Sequence, residues 1–128
     1  MDKMLVVAAL TAVGLAMGMM GCRAAGSYQS ISQEDAKSRM GKPGVVVIDV
    51  REPGEYKEGH IPGAVLLPLG TIGEKTAAAV IPSKDTEVLV YCRSGVRSKK
   101  GAEKLSQLGY TNINEFGGIM TWPYEIEK

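Results

Sequence analysis

Two short runs without a polar residue, Val45-Val-Val-Ile48 and Val88-Leu-Val-Tyr91, do most to limit how this chain can fold. β-branched and aromatic residues suit a pleated strand, and a strand that is apolar at every position must be covered on both faces. Strands of that kind belong to parallel sheets, which need helical crossovers. Ser32-Gln-Glu-Asp35 supplies an N-cap and first-turn acids, with Ile31 placed as a hydrophobic staple, so a helix is predicted to about Met40 and is ended by Gly41 and Pro43. Pro53-Gly-Glu-Tyr56 reads as a helical turn, and Thr71 to Ala79 as a modest helix closed by Pro82. Ser98 to Leu108 reads as a helix with Ala102, Leu105 and Leu108 on its apolar side, followed by Gly109 as a C-terminal stop. Short strands are expected at Val65 to Leu67 and Asn112 to Phe116. An unusual backbone turn is expected at Gly117-Gly118, and a short helix or turn then packs Trp122 against the core. Strands alternating with helices in this order predict an α/β domain of three layers with a central, mostly parallel sheet.

The second apolar run ends at Cys92 and gives way to Arg93-Ser94-Gly95-Val96-Arg97-Ser98, which places the cysteine at the carboxyl end of a strand and just before a helix. Free N–H groups at a helix start attract an anion, and Arg93 and Arg97 add two permanent charges. Both effects favour thiolate over thiol, so Cys92 is expected to be a nucleophile facing an anionic substrate or product. The plainer alternative is a buried cysteine that merely caps the strand. Two arginines, a serine and a glycine so close by argue against an apolar pocket. Asp49 and Arg51 follow the other run and could border the same pocket, since sites in open α/β sheets form beyond the carboxyl ends of strands. Pairing of the two with each other, or with loop backbone, is the favoured reading. His60, the only histidine, stands between Gly59 and Ile61-Pro62; it could pair with Cys92, but a hydrogen-bonding brace for its loop is preferred.

With 128 residues and about 45% apolar content, one core is expected. A net charge of +1 and the lack of a basic patch interleaved with aromatics give no sign of a nucleic-acid partner. Five basic residues against one acid between Arg93 and Lys104 make the field around the loop locally positive, although Lys99, Lys100 and Lys104 read as a solvated helix face. One histidine and one cysteine in the folded part make no plausible zinc set.

Met4 to Met20 is a stretch of seventeen uncharged residues followed by Gly21-Cys22-Arg23, which reads as an export signal. It resembles a bacterial lipoprotein signal, in which the cysteine is lipidated and becomes the first residue. Met19 stands where that pattern usually has leucine, and cleavage near Ala24 to Gly26 or retention as a membrane anchor are the other options. The expected layout is a signal over 1–21, a tether over 22–29 and a folded domain over 30–128, exported and lipid-anchored to a bacterial membrane on the periplasmic side. Cys92 would then be the sole thiol of the folded chain, which disfavours dithiol chemistry and leaves reactivity as the reason to keep it.

Three stretches together carry a resemblance. Asp49-Val-Arg51-Glu52 with Glu55-Tyr56 and Gly59-His60-Ile61-Pro62-Gly63-Ala64, then Tyr91-Cys92-Arg93-Ser94-Gly95-Val96-Arg97-Ser98, then Gly117-Gly118-Ile119 with Trp122, are similar to the signatures of a single rhodanese-like domain. The resemblance implies a sulfurtransferase without metal or organic cofactor. Cys92 would take the outer sulfur of thiosulfate or a related small anionic donor as a persulfide and pass it to a thiol or cyanide. The residues from Arg93 to Ser98 would bind the donor, with their N–H groups around the terminal sulfur and Arg93 and Arg97 on the sulfonate. Two rivals stand beside it. A phosphatase loop has five residues between cysteine and arginine, whereas Arg97 follows after four and Ser98 holds the later place. A non-catalytic binding or redox-sensing module is the other.

Overall fold

The computed structural model describes residues 27–128, in which five parallel strands form one sheet with helices on both faces. The elements in chain order are β1 (Gln29–Ser30), α1 (Gln33–Arg39), β2 (Val45–Asp49), α2 (Pro53–Glu58), β3 (Val65–Leu66), α3 (Glu74–Val80), β4 (Glu87–Cys92), α4 (Val96–Gln107) and β5 (Ile113–Gly118). Single 3-10 turns at Leu69–Thr71 and Ile119–Thr121 complete the set. The strand order is β1-β5-β4-β2-β3, so the two wholly apolar runs lie side by side near the middle, with Val46 opposite Val88 and Ile48 opposite Val90.

Alternation along these strands splits the core into two halves. Ile48, Val88, Val90 and Cys92 face one side, where Ala102 and Leu105 of α4 and Ala77 of α3 pack on them. Val47, Leu89 and Tyr91 face the other, against Ala36 of α1, Phe116 and Trp122. α4 lies close to the sheet because Gly101 has no side chain; a Cβ there would stand 3.1 Å from Val50 Cγ1. The three-layer parallel architecture expected from the pattern is therefore the one found, and Trp122 is core.

Several boundaries differ from the expectation. α4 begins at Val96 rather than Ser98, because Gly95 at φ +111° turns the chain straight from the strand end into the helix. The predicted helix over Thr71 to Ala79 is a 3-10 turn and then α3, which starts at Glu74; Thr71 caps the turn through its own Oγ1 to Pro68 O. Gln29 and Ser30, read as tether or its end, pair with Asn114 and Glu115 as an edge strand. β5 runs on to Gly118, so of the two glycines only Gly117, at φ +90°, takes a turn conformation. The signal segment over 1–21 and Cys22 lie outside the described residues. Among the described residues no helix is long and apolar enough to cross a membrane.

Candidate active site

Cys92 is the last residue of β4, and its side chain is buried between the sheet and α4. Its Sγ accepts a hydrogen bond from the Gly95 N–H at 3.0 Å. That bond exists because Gly95 adopts a positive φ, which folds the chain back over the sulfur and aims the start of α4 at it. Parallel strands carry their chain ends to one edge, and the N-terminus of the following helix contributes partial positive charge there. The chemical capacity of the arrangement is stabilisation of an anionic sulfur by fixed backbone donors.

The loop is held from below and behind. Gly118, beside Cys92 in the sheet, touches the loop so closely that a Cβ would stand 1.9 Å from Arg93 O and 2.6 Å from Ser94 N. The Arg93 carbonyl is fixed by the N–H of Met120 at 3.1 Å. Ser98 is buried, and its single hydroxyl proton lies between two acceptors, Glu115 Oε2 at 2.7 Å and Gly95 O at 2.9 Å. It braces the loop from inside. Glu115 itself is 2% exposed and takes further donors from Gly117 N and Ser30 Oγ, with Lys99 Nζ at 3.5 Å. Burying a carboxylate without donors costs several kcal/mol, on the order of 3–5 when a partner is lost; four donors converge here because the loop and β5 are built around it.

The two loop arginines have different fates. Arg93 and Ser94 are exposed, as is the Val96 side chain, and no carboxylate among the described residues pairs with Arg93. Arg97 is clamped from two nitrogens by Glu55 of α2, at 2.8 and 3.0 Å. The clamp first, opposed by partial burial and then reinforced by the charges of Glu55, Cys92 and Glu52, holds the Arg97 guanidinium above its usual range. Glu55 in turn is pushed down to about 2, chiefly by its hydrogen bonds from Arg97, against partial burial, with help from the Glu52 N–H and the charges of Arg97 and Arg51.

Asp49, Arg51 and His60 do not join the sulfur. The Asp49 carboxylate accepts from Arg51 Nε at 3.0 Å and Nη2 at 2.7 Å, and from Tyr91 Oη at 2.7 Å. Arg51 Nη2 also donates to Gly59 O, and Tyr91 Oη accepts from Ile61 N, so the pair staples the Gly59–Ala64 loop to the sheet. Burial pushes the Tyr91 phenol well above its ordinary range, with the Ile61 N–H opposing and Asp49 adding to the shift. Burial also works against the Arg51 charge, but Asp49 more than offsets it and the guanidinium is raised. His60 stacks on Tyr56 at 3.8 Å, its Nδ1 lies 2.9 Å from Tyr56 O, and its Nε2 lies 3.3 Å from Glu127. The brace reading describes all three.

Glu55 and Glu115 are the residues the sequence reading passed over. An acid between Ile113 and Phe116 in a strand was the available signal for Glu115; Glu55 stood inside a quoted motif with nothing in its spacing to tie it to Arg97. Among the described residues no group of His, Cys, Asp and Glu is placed to hold a metal ion. An open groove of about 220 Å³ between Lys37, Met40, Ile61, Trp122 and Tyr124 contains none of the loop residues.

The sequence and fold are those of a known family. Residues 32–123 match the Rhodanese-like domain. The chain belongs to the rhodanese-like family. It is 43% identical over 72 residues to the thiosulfate sulfurtransferase PspE of Escherichia coli, covering 56% of this chain and 68% of that protein. To the thiosulfate:glutathione sulfurtransferase of Saccharomyces cerevisiae it is 36% identical over 106 residues, 73% of this chain and 76% of that one. A solved rhodanese with anions from E. coli superposes with a TM-score of 0.60 at 38% identity, over 66% of this chain and 98% of that one. Relatives of this rhodanese-like chain thus support a sulfurtransferase, at the level of reaction class.

Proposed function

We propose that this rhodanese-like protein moves a sulfane sulfur from thiosulfate, or a donor like it, to a thiol or cyanide through Cys92. The Cys92 thiolate attacks the outer sulfur of the donor. The S–S bond of thiosulfate breaks, sulfite leaves with its electron pair, and a persulfide anion remains on Cys92. An acceptor thiolate or cyanide then attacks the terminal sulfur, and the Cys92 thiolate departs with the electron pair of the persulfide bond. No net proton or electron is required from outside. The fixed N–H of Gly95 and the α4 N-terminus stabilise the anion that persists through both steps, while Arg93 and Arg97 orient the sulfonate.

The observation that carries this reading is the Gly95 N–H aimed at the buried Cys92 sulfur in a loop of six residues from Cys92 to Arg97. The names of the bacterial and yeast relatives, and the anions in the E. coli rhodanese, support the donor class. Phosphate transfer is disfavoured because Ser98, standing at the later arginine place, is turned inward to Glu115. Thiocyanate formation from thiosulfate and cyanide by the wild type and not by Cys92→Ala is the expected result, with a mass gain of about 32 Da for one sulfur on Cys92 after donor alone. No thiocyanate from either protein would leave the non-catalytic binding or redox-sensing module. We further propose that the chain is exported and held to a bacterial membrane through lipid on Cys22; partition into detergent that vanishes in Cys22→Ala is the expected outcome, and a wild type that stays in the aqueous phase overturns it.

A further inference from the structure

We infer that Glu55 sets the donor specificity of the site by competing with the incoming anion for the guanidinium of Arg97. The inference rests on the sulfurtransferase reading and adds a residue to it. Arg97 offers Nη1 and Nη2 to the two oxygens of Glu55 at 2.8 and 3.0 Å, which is the same forked face it would turn to a sulfonate. The carboxylate is anchored independently of the arginine, since Oε1 also accepts from Glu52 N at 3.0 Å and closes the first turn of α2. The arginine is anchored by its backbone in the first turn of α4, directly after the loop that follows Cys92. A bound anion therefore displaces Glu55 or shares Arg97 with it.

Two consequences follow from charge alone. With Glu55 in place, one of the two loop arginines is neutralised, and Arg93, exposed, has no carboxylate partner among the described residues. Oxyanions that depend on that forked face, such as sulfate, face the same carboxylate and are held off the thiolate. A donor whose outer sulfur engages the Gly95 N–H at the start of α4 has a second source of binding and enters in spite of Glu55. The side chains are about one quarter to one third exposed, 26% for Glu55 and 31% for Arg97, so the pair lies at the surface where a solute reaches it.

Glu55→Gln tests this, because the amide keeps the oxygen that caps Glu52 and removes the charge. The inhibition constant of sulfate is expected to fall about fivefold and the KM for thiosulfate only about twofold, with kcat changing less than about twofold; equal falls would deny Glu55 a part in specificity. In an Arg97→Ala background the same substitution should leave KM where it is. An unchanged or raised KM in a Glu55→Gln protein of wild-type melting temperature overturns the inference, and so does a fall that persists without Arg97. Wild-type protein gives a second measure that needs no variant. Sulfate titration should move the NMR signals of the Arg97 guanidinium and the Glu55 carboxylate together, and sulfate binding that leaves both in place overturns it. A wild type that makes no thiocyanate while those signals move would sink the sulfur-transfer reading and leave the competition standing.

Discussion

Two strands run side by side through the sheet and are closed or followed by charged residues, yet only one end is a candidate site. At the end of β2 the charges are paired: Asp49 is fully buried and accepts from Arg51 and Tyr91 Oη at 2.7 to 3.1 Å, while Arg51 Nη2 also donates to Gly59 O at 2.7 Å. At the end of β4 the sulfur has one backbone donor, Arg93 faces solvent, and Ser94 and Val96 are open beside it. The difference teaches that charge at a strand end does not by itself mark a candidate site; a charge left without a protein partner beside it does. A satisfied network stiffens the platform, and an unsatisfied one waits for a ligand.

That contrast is open to attack from both sides. The largest effect is expected at the closed end, where Asp49→Ala leaves the buried Arg51 without a counter-charge and should cost about 3–5 kcal/mol in urea unfolding. A loss under about 1 kcal/mol would mean that the β2 end is not a stiff platform. Next comes Gly118→Ala, whose Cβ would meet the Arg93 carbonyl at 1.9 Å. Pushing the loop by an ångström should lower thiosulfate turnover about 100-fold while the rest of the fold melts cooperatively; near-normal turnover would show that the loop tolerates displacement.

Smaller effects sharpen the picture. Ser98→Ala removes the hydroxyl that links Gly95 O to Glu115 and should cost about 2 kcal/mol, with a weaker but measurable drop in sulfur uptake by Cys92. The smallest expected effect is an acid dependence. Because Glu55 titrates at about 2 in the folded chain against an ordinary value of 4.5, its contribution is complete above pH 4.5 and is lost as the pH falls from there toward 2. Melting temperature against pH should show this step in the wild type and a smaller one in Glu55→Gln. Identical curves would deny the pair any part in holding α2 to the loop.

The sequence made the sheet legible because Val45 to Ile48 and Val88 to Tyr91 leave no position for water, and Ser32 and Gly109 marked helix ends through local chemistry. It also located Cys92 and its loop, since a helix must follow a parallel strand and its N-terminus must face the strand's end. Boundaries moved where a local signal was weaker than its surroundings. Gly95 started α4 early, and Gln29–Ser30 became a strand only because β5 offered an edge.

Composition and order along the chain were enough to determine a parallel α/β sheet and a single cysteine at the end of one strand, because burial on both faces and the period of the apolar pattern are local properties. Which arginine faces solvent, which is held by Glu55, and that Glu115 lies under the loop were decided only in three dimensions. Arg97 and Glu55 are separated by 42 residues, and Ser98 and Glu115 by 17. The physical reason is that a charge is neutralised by whichever opposite charge and donors the fold brings within about 3 Å, and no spacing in the sequence encodes that distance.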